Sequence, residues 1–314
     1  MGKVKQVLLK IPLIAGLNNF AKTITLPGFQ GISLHNIVAF FFKEIARDTI
    51  SIRASSISFS FLLAIFPTVI FLFTLIPYIP IEDLELKMLT FLENVLPDNA
   101  YELLHSTIQD IIMIPRGGLL SLGFVLGLYF AITGMSAVMD SFDKTYRSFR
   151  KRAFFVQRLV ALEVILLLSL LLIVSVILII AGNFTLKSMM GIIDTNEEWT
   201  QICINGLRWF VVLFMFYMGF SVIYYFGPAT KKSWRFFSPG STLATVLSIL
   251  TSVGFSLYVN NFGQYNKLYG SIGTFIVIMI WIYLNSTVLL LGFELNTSIE
   301  VNKDQMVEGK EKRD

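Results

Sequence analysis

Six long stretches of this chain carry no Asp, Glu, Lys or Arg and are apolar throughout: 54–81, 117–139, 164–186, 209–230, 236–266 and 268–293. Crossing about 30 Å of hydrocarbon at about 1.5 Å per residue takes about 20 apolar residues in a helix. Each stretch meets that length. A seventh charge-free window, 23–42, is broken by Pro27, Gly28 and Gly31, which leaves only Ile32 to Phe42 as apolar helix. That remnant is too short to span. The expected fold is therefore all-α: a polytopic bundle of six transmembrane helices over about 55–77, 118–139, 161–182, 207–227, 240–260 and 270–293. They form one membrane domain, 54–296, between an N-terminal segment 1–53 and a tail 297–314.

Composition narrows the function classes. Charged residues make up 15% of the 314 and apolar residues 55%, against about 25% charged in soluble domains. Too little polar surface remains to dress a water-soluble globule, which argues against a cytosolic enzyme, a disordered regulator or a nucleic-acid-binding domain. Cys203 is the one cysteine, and His35 and His105 are the two histidines. No disulfide framework, metal site or cofactor is expected from that inventory.

The 25 Lys and Arg residues are distributed unevenly across the loops. Most lie before the first span, between the second and third (Lys144 to Arg158), between the fourth and fifth (Lys231, Lys232, Arg235) and in the tail. The alternate segments hold only Lys87, Arg116, Lys187, Arg208 and Lys267. The positive-inside bias places both termini in the cytoplasm, in agreement with an even number of spans. No cleavable signal is expected, since Val7 to Phe20 is interrupted by Lys10 and Pro12. The formal charge of +4 suits anionic headgroups beside the cytoplasmic loops and calls for no nucleic acid.

Outside the spans two amphipathic patterns stand out. Ser33 could cap a helix running toward Arg53, with Leu34, Ile37, Val38, Phe41 and Ile45 on one face, suited to the cytoplasmic interface. The acidic segment 82–116 has an apolar rhythm interrupted by Pro97. It reads as two short outer amphipathic helices, with a re-entrant hairpin as the alternative. Residues 303–314 read as a frayed tail.

Within the spans, several residues could either pack or function. Pro67 interrupts the donor ladder of the first helix and predicts a kink. Gly123 and Gly127, with Ala131 and Gly134 beyond, form a small-residue face that lets another helix approach, within the chain or in a dimer. Thr133, Ser136 and Asp140 continue that span as a polar strip. Glu163 and Glu294 lie near the cytoplasmic boundary, with Arg53, Arg152 and Arg158 as candidate partners. The stretch Tyr258 to Gly270, including Asn260, Gly263 and Gln264, reads as an outer turn whose amides could recognise a headgroup or sugar. Asn285 lies inside the sixth span, shares a face with Gly292 and Asn296, and is expected to hydrogen-bond another helix. The binding candidates are thus Asp140, Asn260, Gln264, Asn285 and Glu294. No HExxH, GxSxG, Walker or GxGxxG signature is present, so no catalytic residue is assigned.

The last third carries a resemblance. Tyr225-Phe226-Gly227-Pro228, Trp234, Ser238-Pro239-Gly240, Tyr258, Tyr269-Gly270, Trp281, Leu290-Leu291-Gly292, Glu294 and Asn296 together resemble the bacterial YihY/BrkB family. Ala64-Ile65-Phe66-Pro67 is similar to that family's opening motif, and the likeness runs from about Phe40 to Asn296. The family pattern usually has Tyr and Ser where this chain has Phe59 and Ala64, and Leu-Asn where it has Phe142-Asp143. Structural roles are assigned to Pro228, Pro239, Gly240, Gly270 and Gly292. The resemblance implies an inner-membrane protein of about six spans and no settled activity: a ribonuclease label once given to members is regarded as mistaken, and others are called virulence factors. Two readings follow. One is transport or handling of a lipid or other amphiphile; the other is a scaffold for envelope machinery, with membrane lipids, envelope proteins or a second copy as partners.

Overall fold

The computed structural model describes residues 50–79, 86, 89–90, 109–143, 152–193, 197–229, 235–261 and 263–311. Among them the long elements are all helices: α1 (Ile50–Leu75, followed by a 3-10 turn, Ile76–Tyr78), α2 (Gly117–Asp143), α3 (Phe154–Ile193), α4 (Glu197–Phe226), α5 (Pro239–Asn261) and α6 (Gly263–Glu311). All six are long and apolar enough to cross a membrane. Their ends follow local chemistry. Gly227 and Pro228 stop α4, and Pro239 opens α5 at a position where a missing N–H costs nothing.

Each helix packs on its neighbours in sequence, and α6 closes back onto α1, so the six form a ring. The tightest seams are α1–α2, α3–α4 and α5–α6. The small-residue face of α2 lies on α1: a Cβ added at Gly123 would come within 3.0 Å of the Phe71 backbone, and one at Gly127 would touch Thr68 and Pro67. Intrachain packing is the use of that face. α1 runs through Pro67 as one helix, with the proline buried against α2.

The dense core sits at one end, where α1, α3 and α5 begin and α2 and α4 finish. Ile57, Val138, Phe142, Val164, Tyr224, Ala244, Leu290 and Phe293 bring all six helices together there. This is the end that carries the Lys/Arg-rich connections, and it is called the basic end below. Toward the other end large apolar side chains face outward, among them Leu166, Leu170, Ile173, Phe210, Leu250 and Leu257. Such a girdle suits a lipid solvent, in which every backbone polar group must be satisfied inside the helix.

Two expectations change. The stretch 258–270 joins the two helices but is itself mostly helical: α5 reaches Asn261 and α6 starts at Gly263, so Gly270 lies inside a helix. No proline interrupts 263–274, and extending an existing helix adds one bond for each residue fixed. For the same reason the tail is helical as far as Glu311. The interfacial helix expected before residue 50, most of 82–108 and the side chains of Asn260 and Gln264 lie outside the described residues.

Candidate functional site

Arg53 lies in the first turn of α1, and the tilt of Cβ toward a helix N-terminus directs its side chain back to the basic end. Its Nη2 donates to Glu294 Oε1 of α6 at 2.7 Å, and its Nη1 donates to the Ser141 carbonyl in the last turn of α2 at 2.8 Å. One guanidinium thus ties three helices together. The two side chains are 3% and 1% exposed, so their attraction is little screened by water. Aromatic rings neighbour the partners of Arg53 in sequence: Phe142, next to Ser141, and Phe293, next to Glu294, stack at 3.9 Å, and Tyr224 meets Phe142 edge-on at 6.0 Å.

A second polar cluster caps α5 beside this pair. Ser238 and Ser241 exchange backbone-to-hydroxyl bonds at 3.2 Å, a capping box built from two serines. Asn296 of α6 completes it, accepting from the Gly240 N–H at 2.8 Å and donating to the Ser238 hydroxyl at 2.9 Å. This requires close approach of the two helices. A Cβ at Gly292 would fall 2.7 Å from the Gly240 carbonyl and 2.9 Å from Ala244. Tyr224 of α4 reaches the same place, donating its hydroxyl proton to the Leu289 carbonyl at 2.7 Å. Ser238-Pro239-Gly240 and Leu290-Leu291-Gly292, with Glu294 and Asn296, are therefore the two halves of one junction.

The remaining candidates lie elsewhere. Asp140 is exposed and accepts from Gln157 Nε2 at 3.0 Å, while Arg158 reaches the Thr133 hydroxyl at 3.4 Å and lies over the Phe154 ring. The polar strip of α2 is thus its seam with α3, not a path to the Arg53–Glu294 pair. Arg152 donates to the carbonyls of Phe226, Gly227 and Pro228, a cation at the negative end of α4. Burial holds its pKa below the ordinary arginine value, partly offset by the Asp143 carboxylate. Pro228 is buried under this clamp. Asn285 does not cross to a neighbour: it donates to the Trp281 carbonyl one turn back at 2.9 Å. One amide proton is thus matched as a serine hydroxyl would be, by an i−4 carbonyl.

Between α5 and α6, toward the far end, a groove of about 340 Å³ opens. Phe255, Val259, Val277 and Trp281 form its apolar wall, and Ser252 and Ser256 put hydroxyls on it. Among the described residues no group of three or more His, Cys, Asp or Glu is placed to hold a metal ion.

Sequence reasoning named Ser238 only within the family resemblance, and missed Tyr224 and Ser241. The signal for the serines was present, because Ser-Pro-Gly-Ser before an apolar run is a helix start. Tyr224 gave none, being one aromatic among many in its span.

Residues 41–314 match the family described as Virulence factor BrkB. A ribonuclease-like protein, YfkH, of Bacillus subtilis (strain 168) is 31% identical over 80% of this chain and 90% of its own length. Proteins named UPF0761 membrane protein in Alteromonas mediterranea and Vibrio parahaemolyticus serotype O3:K6 are each 24% identical over 85% of this chain, covering 88% and 83% of their lengths. No solved structure matches.

Proposed function

Because the chain belongs to the Virulence factor BrkB family of membrane proteins, we propose that it is a bacterial inner-membrane protein that transports or handles a lipid or other amphiphile. The groove between α5 and α6 carries this reading. Its volume falls in the range of small-molecule sites, about 300–1,000 Å³. Its apolar wall suits an alkyl chain, and its two hydroxyls suit a polar group. The packed core at the basic end favours entry from the bilayer and the far half of the bundle. The reading needs no cofactor, no nucleic acid and no catalytic residue, and it treats the ribonuclease-like name of the YfkH relative as uninformative for this chain. Both termini are taken to lie in the cytoplasm, following the Lys/Arg distribution.

The test is flux. Purified protein in liposomes should accelerate the movement of head-labelled lipids or amphiphiles relative to protein-free liposomes, with preference for one headgroup class. Trp281→Ala, which removes a groove wall, should slow that movement several-fold while leaving the helix content unchanged. Absence of acceleration for every headgroup class would overturn the proposal and leave the scaffold reading.

A further inference from the structure

Arg158 of α3 differs from Arg53 and Arg152. Arg53 is matched by a carboxylate and a carbonyl, and Arg152 by three carbonyls. Arg158 makes one hydrogen bond among the described residues, a long one of 3.4 Å from Nη1 to the Thr133 hydroxyl of α2. A guanidinium carries five N–H donors, so most of its capacity is unused. Rings flank it in place of an anion. Phe154, one turn nearer the basic end, lies 4.8 Å away, and Tyr129, farther from that end along α2, lies 5.6 Å away. Both rings are exposed. A cation set beside exposed rings at the margin of a bilayer is costly unless an anion reaches it.

An exposed carboxylate lies on the same face of α2. Asp140 follows Thr133 by two turns, and both meet α3: Asp140 accepts from Gln157 Nε2 at 3.0 Å, next in sequence to Arg158. Because α2 finishes at the basic end, Asp140 is nearer that surface than Thr133, by about 10 Å at about 1.5 Å per residue. The seam thus presents a deep cation and a shallow carboxylate, and among the described residues no ion pair joins Arg158 to Asp140. Beyond Tyr129, away from the basic end, Leu122 and Val125 of α2 and Leu166 of α3 are exposed.

We infer that the α2–α3 seam binds the head of an aminophospholipid in the leaflet at the basic end, with Arg158, steadied by Thr133, taking the phosphate and Asp140 the ammonium. The site is separate from the α5–α6 groove and does not depend on it. The order of charges decides the lipid class. In a phospholipid the chains lie deepest, the phosphodiester next and the head alcohol outermost. A deep cation below a shallow carboxylate therefore matches a zwitterion whose positive end is outermost. Two charge-assisted contacts of about 2.8 Å, with a phosphoethanolamine between them, fill the separation of Thr133 and Asp140 along α2. A glycerol head would bring no cation to Asp140. The exposed apolar side chains beyond Tyr129 give the acyl chains a surface, which selects a lipid over a soluble phosphoethanolamine.

Native mass spectrometry of the delipidated protein, titrated with phosphatidylethanolamine and phosphatidylglycerol of identical chains, tests this. The wild type should bind the ethanolamine lipid about tenfold more tightly, the value of one charge-assisted hydrogen bond. Asp140→Asn keeps an acceptor for Gln157 and should abolish that preference by weakening the ethanolamine lipid alone. Arg158→Gln should weaken both lipids about tenfold, whereas Arg158→Lys, which keeps the charge, should retain the preference. Ser256→Phe, which fills the α5–α6 groove, should leave the preference in place; its loss there would assign the preference to the groove and overturn the inference. Equal binding of the two lipids by the wild type, a preference that survives Asp140→Asn, or unchanged binding in Arg158→Gln would overturn it equally. Should Arg158→Gln fail to fold, Asp140→Asn and Arg158→Lys carry the decision.

Discussion

Breaking a buried ion pair at one partner leaves the other charge in a low-dielectric interior, at about 3–5 kcal/mol, whereas replacing both with apolar groups is often neutral. Arg53→Met alone and Glu294→Leu alone should therefore lower the thermal midpoint of the purified protein sharply. The double variant should recover most of that loss in the same unfolding measurement. Recovery would show that the pair sets geometry more than stability, since Arg53 also holds the Ser141 carbonyl of α2. Glu294 was legible in the sequence as a carboxylate near a span boundary, with three arginines as candidate partners. Choosing Arg53 over Arg152 and Arg158 needed the ring, because only closure of α6 on α1 brings residues 241 apart in sequence within 2.7 Å.

At the scale of elements, the α5–α6 junction depends on two glycines and one amide. Gly292→Val should force the helices apart, because even a Cβ at that position meets Ala244 and the Gly240 carbonyl closer than van der Waals contact allows. Loss of folded protein in size-exclusion chromatography is the expected outcome. Asn296→Ala is milder. Removing a cap costs about 1 kcal/mol, so a fall of a few degrees in thermal midpoint is expected, with the protein still folded. The glycine face of α2 was legible from spacing alone, but its partner was not, since small-residue faces serve dimers and bundles alike. The stretch 258–270 does join the two helices, but its helical extent was not legible. Its amides and glycines match turn chemistry, yet a helix already begun carries such residues at modest cost.

Across the whole molecule, packing is uneven. All six helices meet in the core at the basic end, while the groove opens in the far half. Regions with few buried contacts open locally at lower free energy than a core. Hydrogen exchange in nanodiscs should therefore give α6 amides near Leu290 to Phe293 slower exchange than those near Val277 to Trp281, and an occupied groove should narrow the difference. The six-span architecture was legible because hydrocarbon thickness sets segment length directly. The groove was not, because it needs side chains of two helices set side by side, which no pattern along one helix announces. Native mass spectrometry of amphiphiles that copurify with the intact protein, comparing wild type with Ser256→Phe to fill the groove, tests the central claim most directly. The account predicts one amphiphile class bound to the wild type and lost from the variant. The same bulk lipids in both samples would contradict it.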